Sequence, residues 1–188
     1  DECRTNDIPF FLEFVGYDHS GGDEKGFEFA KKKPKVVAKS MAEFSRPRYG
    51  VDVMKVEIPV NMKFVEGATS FTGQKAYTKA EAIENFQQAA ALAKKPFIYL
   101  SAGVSNAEFT ESLGLAGESG VQFSGVLCGR ATWKDGISLY ATQGVDAFRA
   151  WLKTEGIQNI GNVNEGLAAA RSWFEIYGVS SVDEFVTA

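Results

Sequence analysis

The stretch VDVMKVEIPV, residues 51–60, predicts a buried β-strand that carries two charged side chains in its middle. Lys55 and Glu57 stand two positions apart, so both side chains lie on one face of that strand. Desolvation lowers the pKa of a lysine, and a neutral buried amine is the nucleophile that forms Schiff bases with carbonyl compounds. The alternatives are a structural cation paired with Glu57 or Glu13, or an edge strand with one wet face.

Four apolar runs bounded by turn residues predict strands, at residues 8–15, 51–58, 97–101 and 123–128. Helical patterns lie between successive strands, and two more helical stretches follow the last strand, at residues 136–154 and 163–177. Strands that alternate with helices are typical of a parallel sheet covered by helices. The chain is therefore predicted to be an α/β protein.

The order of these elements fits either a small doubly wound sheet or half of a (β/α)8 TIM barrel. Neither the G-x-G-x-x-G motif of dinucleotide folds nor the P-loop signature occurs. A full barrel usually needs about 250 residues, and the chain has 188. We therefore expect residues 1–188 to be the C-terminal half of a single TIM-barrel domain, with the N-terminal half absent and two open strand edges. The lack of an initiator Met is expected of a chain that enters a fold already under way, or of one whose preceding residues have been removed.

Local patterns place the first three helices. An apolar face repeats at Val37, Ser40, Met41 and Phe44, and Pro47 ends that helix. Thr78 and Glu81 have the spacing of a capping box, and Ser105 and Glu108 repeat it. The basic run Lys31, Lys32, Lys33 and Lys35 around Pro34 is interpreted as the solvated start of a helix, without a function.

Composition and charge exclude several classes of function. A net charge of -4 argues against a binder of nucleic acid or of anionic membranes, because both need a basic face. The expected partner is a small molecule, without nucleic acid or membrane. Only Cys3 and Cys128 are present, which predicts no disulfide framework and suits the reducing cytoplasm. His19 is the single histidine, so no zinc site is expected from this chain.

Polar residues at the predicted strand ends form two candidate sites, because working groups of parallel α/β folds gather there. At the first site Lys55 and Glu13 converge, and we expect another hydrogen-bonding partner to occupy Glu57, since a free carboxylate would keep the lysine charged. The second site suits a phosphate, because backbone N–H groups at glycines and the guanidinium of an arginine can donate hydrogen bonds to phosphate oxygens. Its candidate residues are Ser101, Gly103, Gly129 and Arg130. The alternatives there are plain turn glycines, an arginine in a surface ion pair, and a packing role for Trp133.

Four spaced motifs, IPFFLE (8–13), VDVMKVEIPVN (51–61) with FVEG (64–67), YLSAGVS (99–105) and GVLCGRATW (125–133), resemble the bacterial tagatose-1,6-bisphosphate aldolase family. Members of that family are class I aldolases with a (β/α)8 fold. The resemblance implies that Lys55 is the Schiff-base lysine and Glu13 the catalytic glutamate. It also implies that Ser101 and Arg130 contact phosphate. The strand-end pattern adds Gly103 and Gly129 to that site, and side-chain alternation makes Glu57 a candidate supporting residue.

The resemblance further implies reversible cleavage of D-tagatose 1,6-bisphosphate to dihydroxyacetone phosphate and glyceraldehyde 3-phosphate, in the tagatose 6-phosphate pathway of lactose catabolism. No metal or other cofactor is expected, and a homo-oligomer is possible. The half-barrel alone is expected to be inactive. Three alternatives stay open: an aldolase for sulfofructose 1-phosphate, a zinc-dependent aldolase, and a sugar-phosphate-binding regulatory protein on an aldolase scaffold.

Overall fold

The structure, a computed structural model, describes residues 1–185 and contains one four-stranded parallel sheet. Its strands are β1 (Phe11–Glu13), β2 (Val53–Glu57), β3 (Phe97–Leu100) and β4 (Val126–Leu127). They lie side by side in the order of the sequence. The predicted α/β class and all four predicted strands are confirmed.

The two outer strands are shorter than predicted. β1 keeps three residues of the predicted 8–15, and β4 keeps two of 123–128. Each outer strand pairs with one neighbour only, so fewer ladder hydrogen bonds hold it extended. Gly125, with φ at +135°, breaks the regular strand just before β4, although its carbonyl still accepts from the Tyr99 N–H at 3.0 Å.

Eight α-helices accompany the sheet within residues 1–185: α1 (Glu2–Thr5), α2 (Phe27–Phe44), α3 (Lys79–Ala91), α4 (Asn106–Glu118), α5 (Arg130–Trp133), α6 (Gly136–Trp151), α7 (Ile157–Gly166) and α8 (Trp173–Ile176). The predicted stretch 136–154 corresponds to α6, which is interrupted at Gly144, where φ is +84°. A π-helical turn, Leu152–Gly156, joins α6 to α7. The predicted stretch 163–177 is wrong as one helix, because α7 ends at Gly166 and Ala170 is extended.

α2 begins ten residues before the predicted apolar face and includes Pro34 in its interior. Proline lacks the N–H that would bond to the carbonyl four residues earlier, which here belongs to Ala30. The buried Tyr77 hydroxyl donates a hydrogen bond to that carbonyl instead. Lys33 lies within the helix and is largely buried, so its interpretation as part of a solvated helix start is wrong.

Both predicted N-caps are present. Thr78 and Glu81 form the complete capping box at the start of α3. The Ser105 hydroxyl accepts from the Glu108 N–H at 3.1 Å at the start of α4. These caps satisfy N–H groups that the first helical turn leaves without partners. The cap at Ser105 fixes the start of α4 at Asn106, a short loop after the end of β3 at Leu100.

The sheet has one apolar face covered by helices. It carries Met54, Val56, Phe97 and Tyr99, all of them buried against core residues such as Phe86 of α3 and Phe109 of α4. The opposite face carries Lys55 and Glu13, which are register neighbours on β2 and β1. Phe11 and Leu127 on that face are 54% and 52% exposed, so residues 1–185 leave it partly open.

Every helix in the described part of the chain is too short or too polar to cross a membrane.

Candidate active site

A lysine and a carboxylate meet on the open face of the sheet. Parallel pairing sets Glu13 of β1 beside Lys55 of β2, and Lys55 Nζ lies 2.9 Å from Glu13 Oε2. The Lys55 side chain is 17% exposed, whereas that of Glu13 is 48% exposed. The amine therefore lies in a largely apolar strand environment, with one carboxylate placed to accept or return a proton.

Glu57 has partners of its own. Its Oε2 accepts a hydrogen bond of 2.6 Å from the Gly16 N–H, and its Oε1 lies 3.5 Å from Lys33 Nζ. Gly16 belongs to the loop between β1 and α2. The structure thus supplies the separate partners expected for Glu57 and leaves Glu13 as the carboxylate bonded to Lys55.

The loop after β3 provides a backbone turn beside an arginine. Ser101 is buried at the end of the strand, and Ala102 and Gly103 follow with φ of +50° and +75°. A Cβ on Gly103 would lie 3.3 Å from Arg130 Cζ. The glycine therefore lets the guanidinium of Arg130 pack directly against the turn.

Arg130, which opens α5 directly after Gly129, is exposed and forms no ion pair with a carboxylate of residues 1–185. Lys134 Nζ donates a 3.0 Å hydrogen bond to the Gly103 carbonyl. Two cationic side chains and a glycine turn therefore come together, an arrangement that suits a phosphate.

Helix α7 holds α5 in place through side-chain amides. Asn159 of α7 donates a 3.0 Å hydrogen bond to the Thr132 carbonyl of α5. Asn106 of α4 in turn donates a 3.0 Å hydrogen bond to the Asn159 carbonyl. The helix that carries Arg130 is thus tied to the helix that follows the Ser101 turn.

A second potential nucleophile follows strand β4. Cys128 directly follows β4, and burial raises the pKa of its thiol above the ordinary value, so at neutral pH it is a thiol rather than a thiolate. Among residues 1–185, no cluster of three His, Cys, Asp or Glu side chains is arranged to hold a metal ion. Lys55 is the side chain best placed for nucleophilic chemistry.

Two site residues were missed from the sequence. Lys33 was hidden in a lysine run, although it lies four residues before Val37 and so on the inward face of α2. Lys134 follows Arg130 by four residues, or about one helical turn, but a single such spacing is common on helix surfaces. The helical period could have found Lys33, whereas no comparable signal marks Lys134.

The fold and the site define a class, a parallel α/β protein with a largely buried lysine in the middle of β2 and a glycine turn that suits a phosphate after the neighbouring strand β3. A model of the DeoC/LacD family aldolases matches residues 1–135. The chain belongs to this DeoC/LacD aldolase family.

Curated relatives agree with this assignment. The chain is 51% identical over 178 residues to a tagatose 1,6-diphosphate aldolase of Listeria monocytogenes (strain CLIP80459), covering 94% of this chain and 52% of the relative. It is 51% identical over 173 residues to a protein of the same name from Staphylococcus aureus (strain JH9), covering 92% of this chain and 52% of the relative. The chain thus spans about half the length of the curated relatives it matches.

Proposed function

We propose that this chain supplies the reactive half of a class I aldolase that cleaves D-tagatose 1,6-bisphosphate to dihydroxyacetone phosphate and glyceraldehyde 3-phosphate. The observation that carries the proposal is the 2.9 Å contact between Lys55 Nζ and Glu13 Oε2 on the open face of the sheet. The name borne by the relatives from Listeria and Staphylococcus supports the choice of substrate.

In the proposed mechanism the Lys55 amine attacks the C2 carbonyl of the ketose. Glu13 donates a proton as the carbinolamine loses water to give an iminium. The iminium accepts the electron pair of the C3–C4 bond, while the C4 hydroxyl gives up its proton and glyceraldehyde 3-phosphate leaves. Protonation of the remaining enamine and hydrolysis of the iminium release dihydroxyacetone phosphate and regenerate the amine.

In this proposal one end of the substrate is held by the phosphate-type site around Arg130. Ser101, Gly103, Gly129 and Arg130 bind one phosphate in this proposal, and Lys134 adds a second cation near the turn. Arginine suits this task because its planar fork can donate two hydrogen bonds to one phosphate group. The chemistry requires no metal ion or organic cofactor.

We further propose that the full-length protein is a TIM barrel, of which this chain forms the second half, and that it acts in the cytoplasm. The open sheet face and the two outer strands, β1 and β4, support the barrel. Parallel strands that end at the edge of a sheet have unpaired backbone groups that further strands can satisfy. The remaining strands would close the barrel and cover Lys55.

Borohydride trapping of the full-length protein tests the proposed function. Tagatose 1,6-bisphosphate and borohydride should give an adduct that peptide mass mapping locates on Lys55. Lys55→Ala should abolish the adduct and lower turnover by at least about 10³-fold, because the covalent route is lost. An adduct elsewhere, or wild-type turnover in Lys55→Ala, would contradict the mechanism. Faster turnover of sulfofructose 1-phosphate would contradict the substrate, and binding without turnover would favour a regulatory protein.

A further inference from the structure

A nearly buried ion pair lies behind the reactive lysine. Lys33 Nζ of α2 is 3.5 Å from Glu57 Oε1 of β2, and the two side chains are 12% and 8% exposed. Buried ion pairs add little to stability, because desolvation of both charges offsets their attraction. Because Glu57 lies two residues along β2 from Lys55, the pair instead affects the charge and the backbone around the reactive lysine.

Glu57 is on the same strand face as Lys55, where an unmatched carboxylate would favour the charged form of the amine. The cation of Lys33 matches that negative charge from the helix side. Among residues 1–185, the ion pairs of these groups join Lys55 to Glu13 of β1 and Glu57 to Lys33 of α2. Beside them on the loop and on α2, Asp18 pairs with Lys32 at 3.1 Å. β3 adds no charge, because its register neighbours are the apolar Ile98 and Leu100.

The same pair also holds the loop that follows Glu13. Glu57 Oε2 accepts from the Gly16 N–H at 2.6 Å, three residues after Glu13. A Cβ on Gly16 would lie only 2.8 Å from Val36 Cγ1 of α2, so the loop packs closely against the helix. Lys33 therefore orients the carboxylate that fixes the backbone next to the proposed acid and base.

We propose that Lys33 is a positioning residue of the aldolase reaction. Through Glu57 it matches the charge of a second carboxylate on the strand face of Lys55, and it fixes the loop behind Glu13. This inference rests on the proposed function, in which the neutral amine of Lys55 attacks the substrate. Lys33 itself touches neither the substrate nor the reacting atoms.

A double-mutant cycle of Lys33 and Glu57 in the full-length protein tests the proposal. The variants are Lys33→Met, Glu57→Gln and the double variant, and the readout is the pH at which cyanoborohydride trapping of Lys55 with tagatose 1,6-bisphosphate is half-maximal. Lys33→Met leaves an unmatched carboxylate, so this midpoint should rise by about one pH unit. Glu57→Gln leaves an unmatched cation, so the midpoint should fall. The double variant should return close to the wild-type midpoint.

Two controls separate this effect from a general loss of structure. Lys33→Arg keeps the cation and should restore the midpoint. Lys31→Met removes a neighbouring lysine whose partner is the exposed Glu28, and it should leave the midpoint unchanged. If Lys33→Met does not fold, the fall in Glu57→Gln and the return in the double variant carry the same test.

Some results would overturn the proposal. Single variants that shift the midpoint in the same direction, or not at all, exclude the role of Lys33 while leaving the aldolase function intact. A wild-type protein that is not trapped on Lys55 overturns the aldolase function itself, and this inference with it. The two failures are therefore distinguishable in one set of measurements.

Discussion

Gly103 decides how closely Arg130 approaches the turn after β3. Its φ of +75° is readily adopted by glycine and disfavoured for other residues. A side chain there would also meet the guanidinium, since a Cβ would lie 3.3 Å from Arg130 Cζ. Gly103 is therefore required both for its positive φ and for the space that it leaves to Arg130. A control glycine that has only the positive φ can separate these two requirements.

Gly103→Ala should raise the KM of the full-length protein for its phosphorylated substrate about tenfold, because loss of a charge-assisted hydrogen bond costs about 1.5–3 kcal/mol. The matched control is Gly120→Ala, whose φ is +71° and whose Cβ would have no neighbour within 4 Å. Both variants should lose similar stability in urea, but only Gly103→Ala should change KM in steady-state kinetics. Equal KM values in the two variants would show that Arg130 does not depend on this contact.

Individual site residues differ in how far the sequence could predict them. The contact between Lys55 and Glu13 follows from side-chain alternation on two neighbouring parallel strands, which the sequence already implied. The burial of Lys33 did not follow, because Pro34 and the surrounding lysines resemble a helix start. The partner of Glu57 could be expected on charge grounds, but its identity needed the three-dimensional structure.

Within α2, the interior proline is compensated from outside the helix. Pro34 removes one backbone donor, and the Tyr77 hydroxyl donates to the Ala30 carbonyl in its place. Burial raises the pKa of Tyr77, so its hydroxyl stays protonated and able to donate. The helix that carries Lys33 therefore depends on a residue far away in sequence.

Tyr77→Phe should lower the free energy of unfolding by about 1–3 kcal/mol, because it leaves a buried carbonyl without its donor. Pro34→Ala restores a backbone N–H that can bond to the same carbonyl. In a Pro34→Ala background Tyr77→Phe should cost less than half as much, as measured by urea denaturation of the full-length protein. The same cost in both backgrounds would mean that the hydroxyl does not replace the missing N–H.

Secondary-structure elements were predicted best where a local signal and the tertiary packing agree. The capping box of Thr78 and Glu81 marks the start of α3, and the apolar runs mark all four strands. The break between α6 and α7 was placed poorly, since a π-helical turn keeps the chain helical through Leu152–Gly156. Hydrophobic periodicity does not distinguish such a turn from a continuing helix.

Over the molecule as a whole, the sheet is covered on one face and partly open on the other. Phe11 and Leu127 stand exposed on the open face, at opposite ends of the strand order. Exposed apolar side chains on a sheet with unpaired edges favour association with other strands. The sequence predicted the number and order of these four strands, whereas closure of the proposed barrel would need further strands that residues 1–185 do not contain.

Residues 1–188 expressed alone should show less than about 1% of the turnover of the full-length protein, since the proposed barrel is not closed around Lys55. The isolated chain should also bind a hydrophobic dye and elute early from a sizing column, because its open sheet face is apolar. The full-length protein measured beside it is the control. Full turnover by the isolated chain would contradict the need for a second half.

The amide contacts between α4, α5 and α7 have a consequence for protein engineering. They hold the arginine end of the site, whereas α2 holds the amine end through Glu57, so the two ends rest on separate supports. A designer can therefore vary the proposed phosphate-binding loop in a library while the proposed Schiff-base site stays unchanged. If the proposed function holds, such a library should change which phosphorylated substrates are accepted without removing the reactive amine.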